Sequence, residues 1–363
     1  MNKTSLLCLF GGRSSEYEVS LISAHSILSN IDREKYDITT VGITKNGDWY
    51  HYAGDIAAIK DGSWCNDTAT LNKAVLSPSV SDSCLLLFPA DGTQVQRIHI
   101  DVIFPIMHGA NAEDGTLQGL LKLSGIPFVG CGCTTSAIGM DKGYTKLVLN
   151  NFGIPQAKCK IILRNDFNTH KTEVLDACET LGEYPLFVKP ANAGSSVGAS
   201  KADSRAELES AITLAAEHDS KIIVEEYING KEIEVAVIGN NDYVASTCGQ
   251  INPGSEFYDY DAKYSADSNS SCLIPADIKW ETMLDVRTYA VKICSILGVS
   301  GLSRVDFFVS EDNGEEKITF NEINTLPGFT QISMYPKLMV SDGMSYSDLI
   351  DALITLALEK EGR

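Results

Sequence analysis

The segment from Ser303 to Gly328, SRVDFFVSEDNGEEKITFNEINTLPG, carries acids and amides at spacings that could bind a hard metal ion. Two strand patterns flank an Asn-Gly pair, which is a strong signal for a tight hairpin turn. Glu322 and Asn324 lie two residues apart, so their side chains point to one face of a strand. Burying them beside Asp306 without a partner would be costly. Oxygen ligands without His or Cys favour Mg²⁺ that is shared with phosphate groups.

The register of this hairpin decides whether its polar side chains meet. A two-residue Asn-Gly turn pairs Asp306 with Asn321, which places Asp306 and Glu322 on opposite faces. A three-residue Asn-Gly-Glu loop with a bulge pairs Asp306 with Glu322 instead. It also pairs Arg304 with Asn324, so that all four side chains share one face. We predict the three-residue loop.

A second motif, VKPANAGSSVG, begins at Val188 and places Lys189 at the end of an apolar strand, before a loop of small residues. Gly and Ser let backbone N–H groups approach a phosphate closely, and the lysine adds a point charge. The lysine precedes the glycines, so the spacing is not that of the P-loop. The motif predicts a phosphate-binding loop, although an ordinary Gly/Ser turn explains it equally well.

The segment KIIVEEYINGKEIEV combines a buried strand pattern with acids on both sides of a turn. Glu225 and Glu226 end the strand, and Glu232 follows the turn. A carboxylate beside such a hinge could accept a hydrogen bond from an adenine amino group or a ribose hydroxyl. Taken alone, the segment is more typical of an edge strand with solvated acids.

Two further segments, FGGRSSEYEVS and PIMHGANAEDGTLQG, place glycines and polar groups directly after strand patterns. This is the carboxyl edge at which open α/β sheets bind ligands. Glu16 could bind a substrate ammonium group, although a turn with a helix cap would also account for it. His108 is more often a loop histidine with satisfied hydrogen bonds than a catalyst.

The segment EFYDYDAKYSADSNSS has four aromatic rings that alternate with acids around Lys263, followed by a polar tail. It has too many charges for a core strand and too many rings for an ordinary solvated loop. The residues alone therefore leave open what this mobile segment does, and a flexible solvent loop is the plain explanation.

Three segments must position these residues. The first, 1–136, alternates strand patterns (LLCLF, YDITTVGIT, CLLLFP, IDVIFPIMHG) with helix patterns from about Glu18 and in GTLQGLLKLSG. This alternation predicts an open, mostly parallel sheet. The other two segments, 137–223 and 224–363, mix strands and helices. The fold class that we predict is α/β, with an α+β arrangement in the last two segments.

Composition excludes several classes of protein. The formal net charge of -19 would repel nucleic acids and anionic membranes. The apolar run LLCLF is too short for a signal peptide, and no stretch approaches the roughly 18 apolar residues of a spanning helix. The ten cysteines are scattered, which favours free thiols in a reducing compartment. We therefore expect a cytoplasmic protein.

Eight motifs in the observed order resemble the D-alanine–D-alanine ligase family of the ATP-grasp fold: GGRSSEYEVS, HGANAEDGTLQG, MDK, VKPANAGSSVG, EEYINGKEIEV, FYDYDAKY, SRVDFF and NEINTLPGFTQISMYP. The likeness spans nearly the whole chain, near the branch that contains D-Ala–D-Ser ligases of vancomycin-resistance systems. It implies an N-terminal substrate-binding domain, then two ATP-grasp domains. It also implies a homodimer. Positions 252–272 would form a mobile lid that excludes water from a reactive intermediate.

The activity implied is the ATP-dependent joining of two D-alanines through an acyl phosphate, for peptidoglycan precursor synthesis. D-serine or D-lactate as the second substrate is the first alternative, and a catalytically silent ATP-binding regulatory protein is the second. We call the predicted hairpin that carries Arg304, Asp306, Glu322 and Asn324 the metal hairpin. These four residues and Lys189 are all intact, which speaks against the silent protein. An NAD(P) oxidoreductase is disfavoured because Gly11-Gly12 does not belong to a GxGxxG motif.

The resemblance implies a role for each matching residue. ATP would be bound by Lys142, Lys189, Ser196, Glu225, Ile228, Glu232 and Lys263. Two Mg²⁺ ions, or Mn²⁺ in their place, would be held by Asp306, Glu322 and Asn324. Catalysis would depend on Glu16, Ser195, Tyr264, Arg304 and the N–H of Gly328. The amino acids would contact His108, Ser333 and Met334.

The same resemblance bears on the second substrate. Relatives that form the D-lactate ester use a histidine in the lid region, and no histidine follows His218 in this chain. Relatives that prefer D-serine carry a basic residue directly after the serine that binds the second carboxylate. Here that position is Met334, which implies that D-alanine is preferred.

Overall fold

The computed structural model describes residues 3–66, 68–194, 197–252, 271–360 and 362. Four predicted site residues lie outside this part of the chain: Ser195, Ser196, Lys263 and Tyr264. Most of the predicted lid at 252–272 lies outside it as well.

A seven-stranded sheet is built by the first third of the chain, in the order β6-β5-β4-β3-β2-β1-β7. Its strands are β1 (Thr4–Gly11), β2 (Tyr36–Ile43), β3 (Trp49–His51), β4 (Asn72–Leu76), β5 (Cys84–Phe88), β6 (Gln96–His99) and β7 (Val102–Ile106). Its helices are α1 (Tyr17–Asn30), α2 (Ile56–Lys60) and α3 (Thr116–Ser124). A 3-10 turn covers Ser63–Cys65.

The parallel part of this sheet consists of β2, β1 and β7. The remaining four strands continue it in antiparallel fashion. The sequence pattern predicted the parallel strands but did not separate the antiparallel extension, because apolar runs of both kinds look alike. The extension lies beyond β2, so it does not interrupt the neighbouring ends of β1 and β7.

A four-stranded antiparallel sheet follows, in the order β10-β9-β11-β8. Its strands are β8 (Cys159–Leu163), β9 (Leu186–Pro190), β10 (Ser200–Ala202) and β11 (Lys221–Glu226). The helices of this region are α4 (Cys133–Met140), α5 (Lys142–Asn150), α6 (Arg164–Thr169), α7 (Lys171–Glu179) and α8 (Arg205–His218). Because β11 belongs to this sheet, we propose that the second domain boundary lies between β11 and the next strand.

The third sheet has five antiparallel strands in the order β14-β13-β12-β15-β16. They are β12 (Lys231–Gly239), β13 (Val244–Asn252), β14 (Ser271–Leu273), β15 (Gly301–Asp312) and β16 (Glu315–Asn324). The helices are α9 (Trp280–Leu297), α10 (Met334–Ser341) and α11 (Tyr346–Lys360). No helix in the described ranges is long and apolar enough to cross a membrane.

Alternating side chains of β1 supply two cores, one on each face of the first sheet. Leu6, Cys8 and Phe10 pack with α1 and α11, whereas Leu7 and Leu9 pack with α3. Because α11 closes the first core from the far end of the chain, the first and third sheets are held together. All ten cysteines are free thiols, as the sequence predicted.

The turn between β15 and β16 differs from the sequence prediction. Asp312 pairs with Glu315, so Asn313 and Gly314 form a two-residue turn. Both have positive φ angles, 53° and 84°. Asn and Gly are the residues that tolerate this conformation, so the turn is of the tight type that suits twisted strands. The prediction of a three-residue loop was wrong.

The predicted pairing is nevertheless present, because a β-bulge at Asn321 supplies the extra residue. Beyond it, Asp306 pairs with Glu322, and Arg304 pairs with Asn324. The signal for the bulge is apolar: Phe320 and Ile323 lie three residues apart, yet both are buried in one core. A regular strand would point them to opposite faces, so an extra residue is needed between them.

Candidate active site

A cleft lies where the loops that follow β1 and β7 face the third sheet and the start of α5. It is lined by side chains from all three sheet regions, which include Glu16, His108, Glu113, Lys142, Glu234, Arg304, Glu322, Asn324, Ser333 and Met334. Nine of the fourteen predicted site residues that the structure describes thus meet in one cavity, although they are spread over more than 300 positions.

Glu16 lies at the junction of three loops. A side chain at Gly109 would come within 3.2 Å of its Oε2, and one at Gly194 within 3.2 Å of its Oε1. Gly109 also has a φ of 73°, which favours glycine. The two glycines therefore let the loops after β7 and β9 close on this carboxylate. Glu16 lies in the loop after β1, at the sheet edge where the sequence predicted it.

His108 is buried, and both of its ring nitrogens contact groups within the protein. Nδ1 lies 3.0 Å from the carbonyl oxygen of Leu326, and Nε2 lies 3.0 Å from Oγ of Ser23. A carbonyl only accepts, so Nδ1 carries the proton and Nε2 accepts from the serine. Burial lowers the pKa of His108, which favours this neutral form. His108 therefore ties the loop after β7 to the loop after β16.

Glu113 is a buried acid that sequence reasoning did not single out. Its Oε1 accepts a hydrogen bond of 3.1 Å from the N–H of Gly109. Burial, and then repulsion from Glu16, raise the pKa of Glu113 to about 8. The signal was available in the motif HGANAEDG, but an acid in a Gly-rich loop is indistinguishable from a helix cap until its burial is known.

We expect the stability of the fold to depend on pH through Glu113. The folded chain holds a proton up to a pKa of about 8, whereas the unfolded chain releases it near the ordinary value of 4.5. The stabilisation from this proton is therefore complete below about pH 4.5. Above that pH, the free energy of unfolding falls as pH rises toward 8, by at most about 1.4 kcal/mol per pH unit. In Glu113→Gln this fall should be absent.

Urea denaturation at pH 5, 6.5 and 8 measures the effect, with the exposed Glu281→Gln as the matched control. The control should follow the wild-type pH dependence. If the free energy of unfolding changed with pH equally in Glu113→Gln and the wild type, Glu113 would be ionised in the folded chain.

The metal hairpin carries its polar groups on one face, where cations neutralise them. Arg304 donates from Nε to Oδ1 and from Nη2 to Oδ2 of Asp306, both at 2.8 Å. The ammonium group of Lys142 lies 3.3 Å from Oε2 of Glu322. Burial works to lower the pKa of Arg304, but Asp306 and Glu234 outweigh it and raise this pKa well above its ordinary value.

The donor set fits a hard divalent cation. Asp306, Glu322 and Asn324 offer oxygen atoms only. Asp306 and Glu322 are directly opposed on adjacent strands, and Asn324 follows two residues after Glu322. The third proposed ligand is an amide, and no group of three His, Cys, Asp or Glu side chains that could hold a metal ion occurs among the described residues. Two of the three predicted ligands are paired with cationic side chains, so the site is stabilised by positive charge.

A row of three lysines continues from this site toward the strand end at Glu225. Lys189 lies 3.0 Å from Oε2 of Glu225 and donates to Oδ1 of Asn321 at 3.2 Å. Lys146 lies 2.8 Å from Oε1 of Glu225, in an ion pair that lacks hydrogen-bond alignment. Lys142 and Lys146 are one helical turn apart on α5. The bulge residue Asn321 thus links the metal hairpin to the lysine row.

The protonation of Glu225 and Lys189 is decided by the opposite charges beside them. Burial works to raise the pKa of Glu225, but Lys189 and Lys146 hold it below its ordinary value. Burial works to lower the pKa of Lys189, but Glu225 and Glu322 raise it. Both groups are therefore charged. Sequence reasoning missed Lys146, and the spacing of four after Lys142 was the signal that could have found it.

The remaining predicted nucleotide residues lie beyond the end of β11. Ile228 is half-buried in the connection to β12, and Glu232 is half-buried near the start of that strand. Glu226 is directed away from Glu225, since its Oε1 accepts from the N–H of Lys158 at 2.9 Å. Of these two neighbouring acids, only Glu225 therefore contacts the lysine row.

The far end of the cleft is formed by the loop before α10. Oγ of Ser333 accepts from the N–H of Thr330 at 3.1 Å, which holds the turn that presents it. Met334 is buried, and its terminal methyl group occupies the space beside Gly249, only 2.3 Å from where a side chain there would begin. Gly328 lines the same cavity. An apolar side chain thus closes this end.

Two family models match the chain. One, described as D-ala D-ala ligase N-terminus, matches residues 5–131. The other, described as D-ala D-ala ligase C-terminus, matches residues 148–355. Together they account for well over half of the sequence. The chain belongs to the D-alanine–D-alanine ligase family. The resemblance seen in the sequence motifs is therefore confirmed, and so is the prediction of a ligase enzyme.

Relatives and solved structures agree over nearly the full length. The chain is 48% identical to the D-alanine–D-alanine ligase of Acetivibrio thermocellus, over 99% of this chain and 97% of the relative. It is 41% identical to the VanG D-Ala:D-Ser ligase from Enterococcus faecalis, whose structure superposes with a TM-score of 0.87 over 98% of this chain and 100% of that one.

A more distant structure, the D-alanine–D-alanine ligase from Coxiella burnetii, is 31% identical, with a TM-score of 0.82 over 99% of this chain and 95% of that one. The predicted α/β fold class is confirmed by these similarities. They do not test the roles of individual residues, so the assignments to ATP, metal and amino acids in this ligase are developed below as proposals.

Proposed function

We propose that this ligase joins two D-alanines into D-alanyl-D-alanine, with ATP as the co-substrate, and so supplies a peptidoglycan precursor. The observation that carries the proposal is the meeting of three groups in one cleft. The Glu16 carboxylate, the oxygen donors Glu322 and Asn324, and Lys142, the first lysine of the row, line a common cavity. We place the reaction in the cytoplasm, in a homodimer.

The lysine row supports nucleotide binding. Glu225 is fully buried and ionised, so it can only accept hydrogen bonds, and an adenine amino group would supply the donor. Ile228 and Glu232 lie on the connection that follows and would contact the base and the ribose. Lys189 and Lys142 would face the phosphates, together with the backbone around Ser196 and with Lys263. This order runs from the base to the reacting phosphoryl group.

We expect Lys146→Met to weaken ATP binding by about 10-fold, because Glu225 then loses one of its two cationic partners and its pKa rises. The KM for D-alanine should change little. Steady-state kinetics with ATP as the varied substrate measure the effect. Lys158→Met is the matched control, since this exposed lysine lies 3.7 Å from the neighbouring Glu226. An unchanged KM for ATP would remove Lys146 and Glu225 from the nucleotide site.

Asp306, Glu322 and Asn324 would hold Mg²⁺, with Mn²⁺ as a substitute. When bound, the cation would withdraw negative charge from the phosphoryl group that is transferred. The chain's own contribution is the placement of three oxygen donors opposite Lys142 and Arg304. Phosphoryl transfer depends mainly on such positioning and neutralisation, so this donor set suits the chemistry.

The first D-alanine would bind with its ammonium group at Glu16 and near His108. Its carboxylate oxygen attacks the γ-phosphorus of ATP, ADP leaves, and an acyl phosphate forms. Tyr264 and Ser195 would complete the contacts around Glu16, and the lid at 252–272 would exclude water from the intermediate. Exclusion of water is needed because the acyl phosphate would otherwise hydrolyse.

The second D-alanine would bind with its carboxylate at Ser333 and its methyl group beside Met334. Its amine, after losing a proton, attacks the acyl carbon, and the resulting oxyanion expels phosphate. Arg304 and the N–H of Gly328 line this part of the cavity and would stabilise the oxyanion. The products are the dipeptide, ADP and phosphate.

One assay tests this proposal and its main alternative. The protein is supplied with ATP, Mg²⁺ and D-alanine, alone or with D-serine or D-lactate, and the products are identified by mass. D-alanyl-D-alanine with stoichiometric ADP and phosphate is the expected result. The similarity to a D-Ala:D-Ser ligase makes D-alanyl-D-serine the second candidate product. ATP-dependent formation of neither dipeptide would overturn the proposal.

A further inference from the structure

Glu234 is a buried acid of the cleft to which the proposed reaction assigns no role. It lies on β12, directly opposite Asp306 on β15, and its side chain is only 4% exposed. Its Oε2 lies 3.1 Å from Nε of Arg304. The guanidinium group therefore sits between two carboxylates from neighbouring strands, one of which is a proposed metal ligand.

The two carboxylates share Arg304 unequally. Asp306 accepts from both Nε and Nη2 in a two-pronged pair, whereas Oε2 of Glu234 lies beside Nε without an aligned hydrogen bond. Both oxygens of Asp306 are thus engaged by a cation. A divalent metal ion that binds Asp306 must compete with this guanidinium group, because two positive charges cannot share the carboxylate at low cost.

We propose that Glu234 is a positioning residue that receives Arg304 when a divalent cation binds Asp306. This inference rests on the metal site of the proposed function. Arg304 is 14% exposed, so it cannot leave Asp306 without another partner except at a large desolvation cost. Glu234 is already within contact distance. Transfer of the guanidinium group to it frees Asp306 and keeps Arg304 in the cavity, where the oxyanion develops.

We call this transfer of Arg304 from Asp306 to Glu234 the exchange, and a simpler explanation must be separated from it. A buried carboxylate near a metal site would strengthen cation binding by its charge alone, whether or not Arg304 moves to it. The two explanations differ in what they require. The exchange needs the carboxylate within reach of Arg304, whereas the charge effect needs only a negative group nearby. Glu234→Asp keeps the charge but withdraws the carboxylate by about one C–C bond, ~1.5 Å.

The experiment is a titration of the full chain with Mn²⁺ in the presence of ADP, in which free Mn²⁺ is followed by electron paramagnetic resonance. We expect Glu234→Gln and Glu234→Asp each to raise the Kd for Mn²⁺ about 10-fold. Glu311→Gln, an exposed acid on the same strand as Asp306, should leave it unchanged. An effect of Glu234→Gln without an effect of Glu234→Asp would overturn the exchange in favour of charge alone.

A second set of variants tests the dependence on Arg304. In an Arg304→Gln background no guanidinium group remains to be transferred, so adding Glu234→Gln should change the Kd for Mn²⁺ by less than about 2-fold. An undiminished 10-fold effect in that background would also contradict the proposal. Failure of the wild-type chain to bind Mn²⁺ with ADP would instead count against the proposed metal site itself, so the two failures are distinguishable.

Discussion

Asp306→Asn is expected to reduce the release of phosphate from ATP by about 1000-fold or more while the chain stays folded. The substitution removes a negative oxygen from a site that needs hard, charged ligands, so the metal and the phosphoryl group lose their common anchor. It also deprives Arg304 of half of its two-pronged pair. Continuous measurement of phosphate release at saturating ATP and D-alanine gives the rate, and circular dichroism reports the fold.

Asp312→Asn is the matched control, because Asp312 lies on the same strand but is exposed and paired only with the surface residue Lys317 among the described ion pairs. It should keep wild-type turnover. Glu322→Gln should behave like Asp306→Asn, since the two carboxylates face each other across the hairpin. Wild-type rates in either site variant at millimolar Mg²⁺ would show that the hairpin does not hold the metal.

Met334→Arg is expected to change the choice of second substrate. In the wild type, the methionine fills the space beside Gly249 and would leave a serine hydroxyl without a partner, at a cost of about 1–3 kcal/mol. D-alanine should therefore be preferred over D-serine by roughly 10–100-fold in kcat/KM. An arginine at this position could donate to the hydroxyl, and Glu234, which lies opposite Gly249, could balance its charge.

Competition between D-alanine and D-serine, with both dipeptides quantified by mass, measures the preference directly. In Met334→Arg we expect it to move toward D-serine by about 10-fold or more. Val340→Arg serves as the control, because this residue is exposed on the same helix and lies outside the cleft lining. A wild-type enzyme that uses D-serine at least as well as D-alanine would refute the role given to Met334.

The hairpin of β15 and β16 shows how far local pattern can reach. The alternation of apolar and polar residues predicted both strands, and the need to satisfy four polar groups predicted their register. The device that produces the register was not predicted, because a two-residue turn with a bulge and a three-residue loop give the same pairing beyond Asn321. Choosing between them requires knowing that Phe320 and Ile323 enter one core.

The lysine row shows a different limit. Lys142 and Lys189 stood in recognisable motifs, whereas Lys146 looked like an ordinary polar residue on an amphipathic helix. Its charge matters because α5 packs beside the end of β11, about 80 positions later in the chain, where Glu225 is buried. The helix fixes where Lys146 lies relative to Lys142, but only the packing of α5 against the sheet brings Glu225 beside it.

The sequence by itself determined the family and the α/β class and gave the residues to which we assign the chemistry, because the motifs carry their donors, acceptors and glycines within short local segments. Only the tertiary structure decided how these groups are charged and paired. Glu113 holds its proton because Glu16 and burial surround it, and Glu234 shares Arg304 because β12 lies against β15. Such effects arise from burial and from pairing between distant strands, which are set by how the whole chain packs.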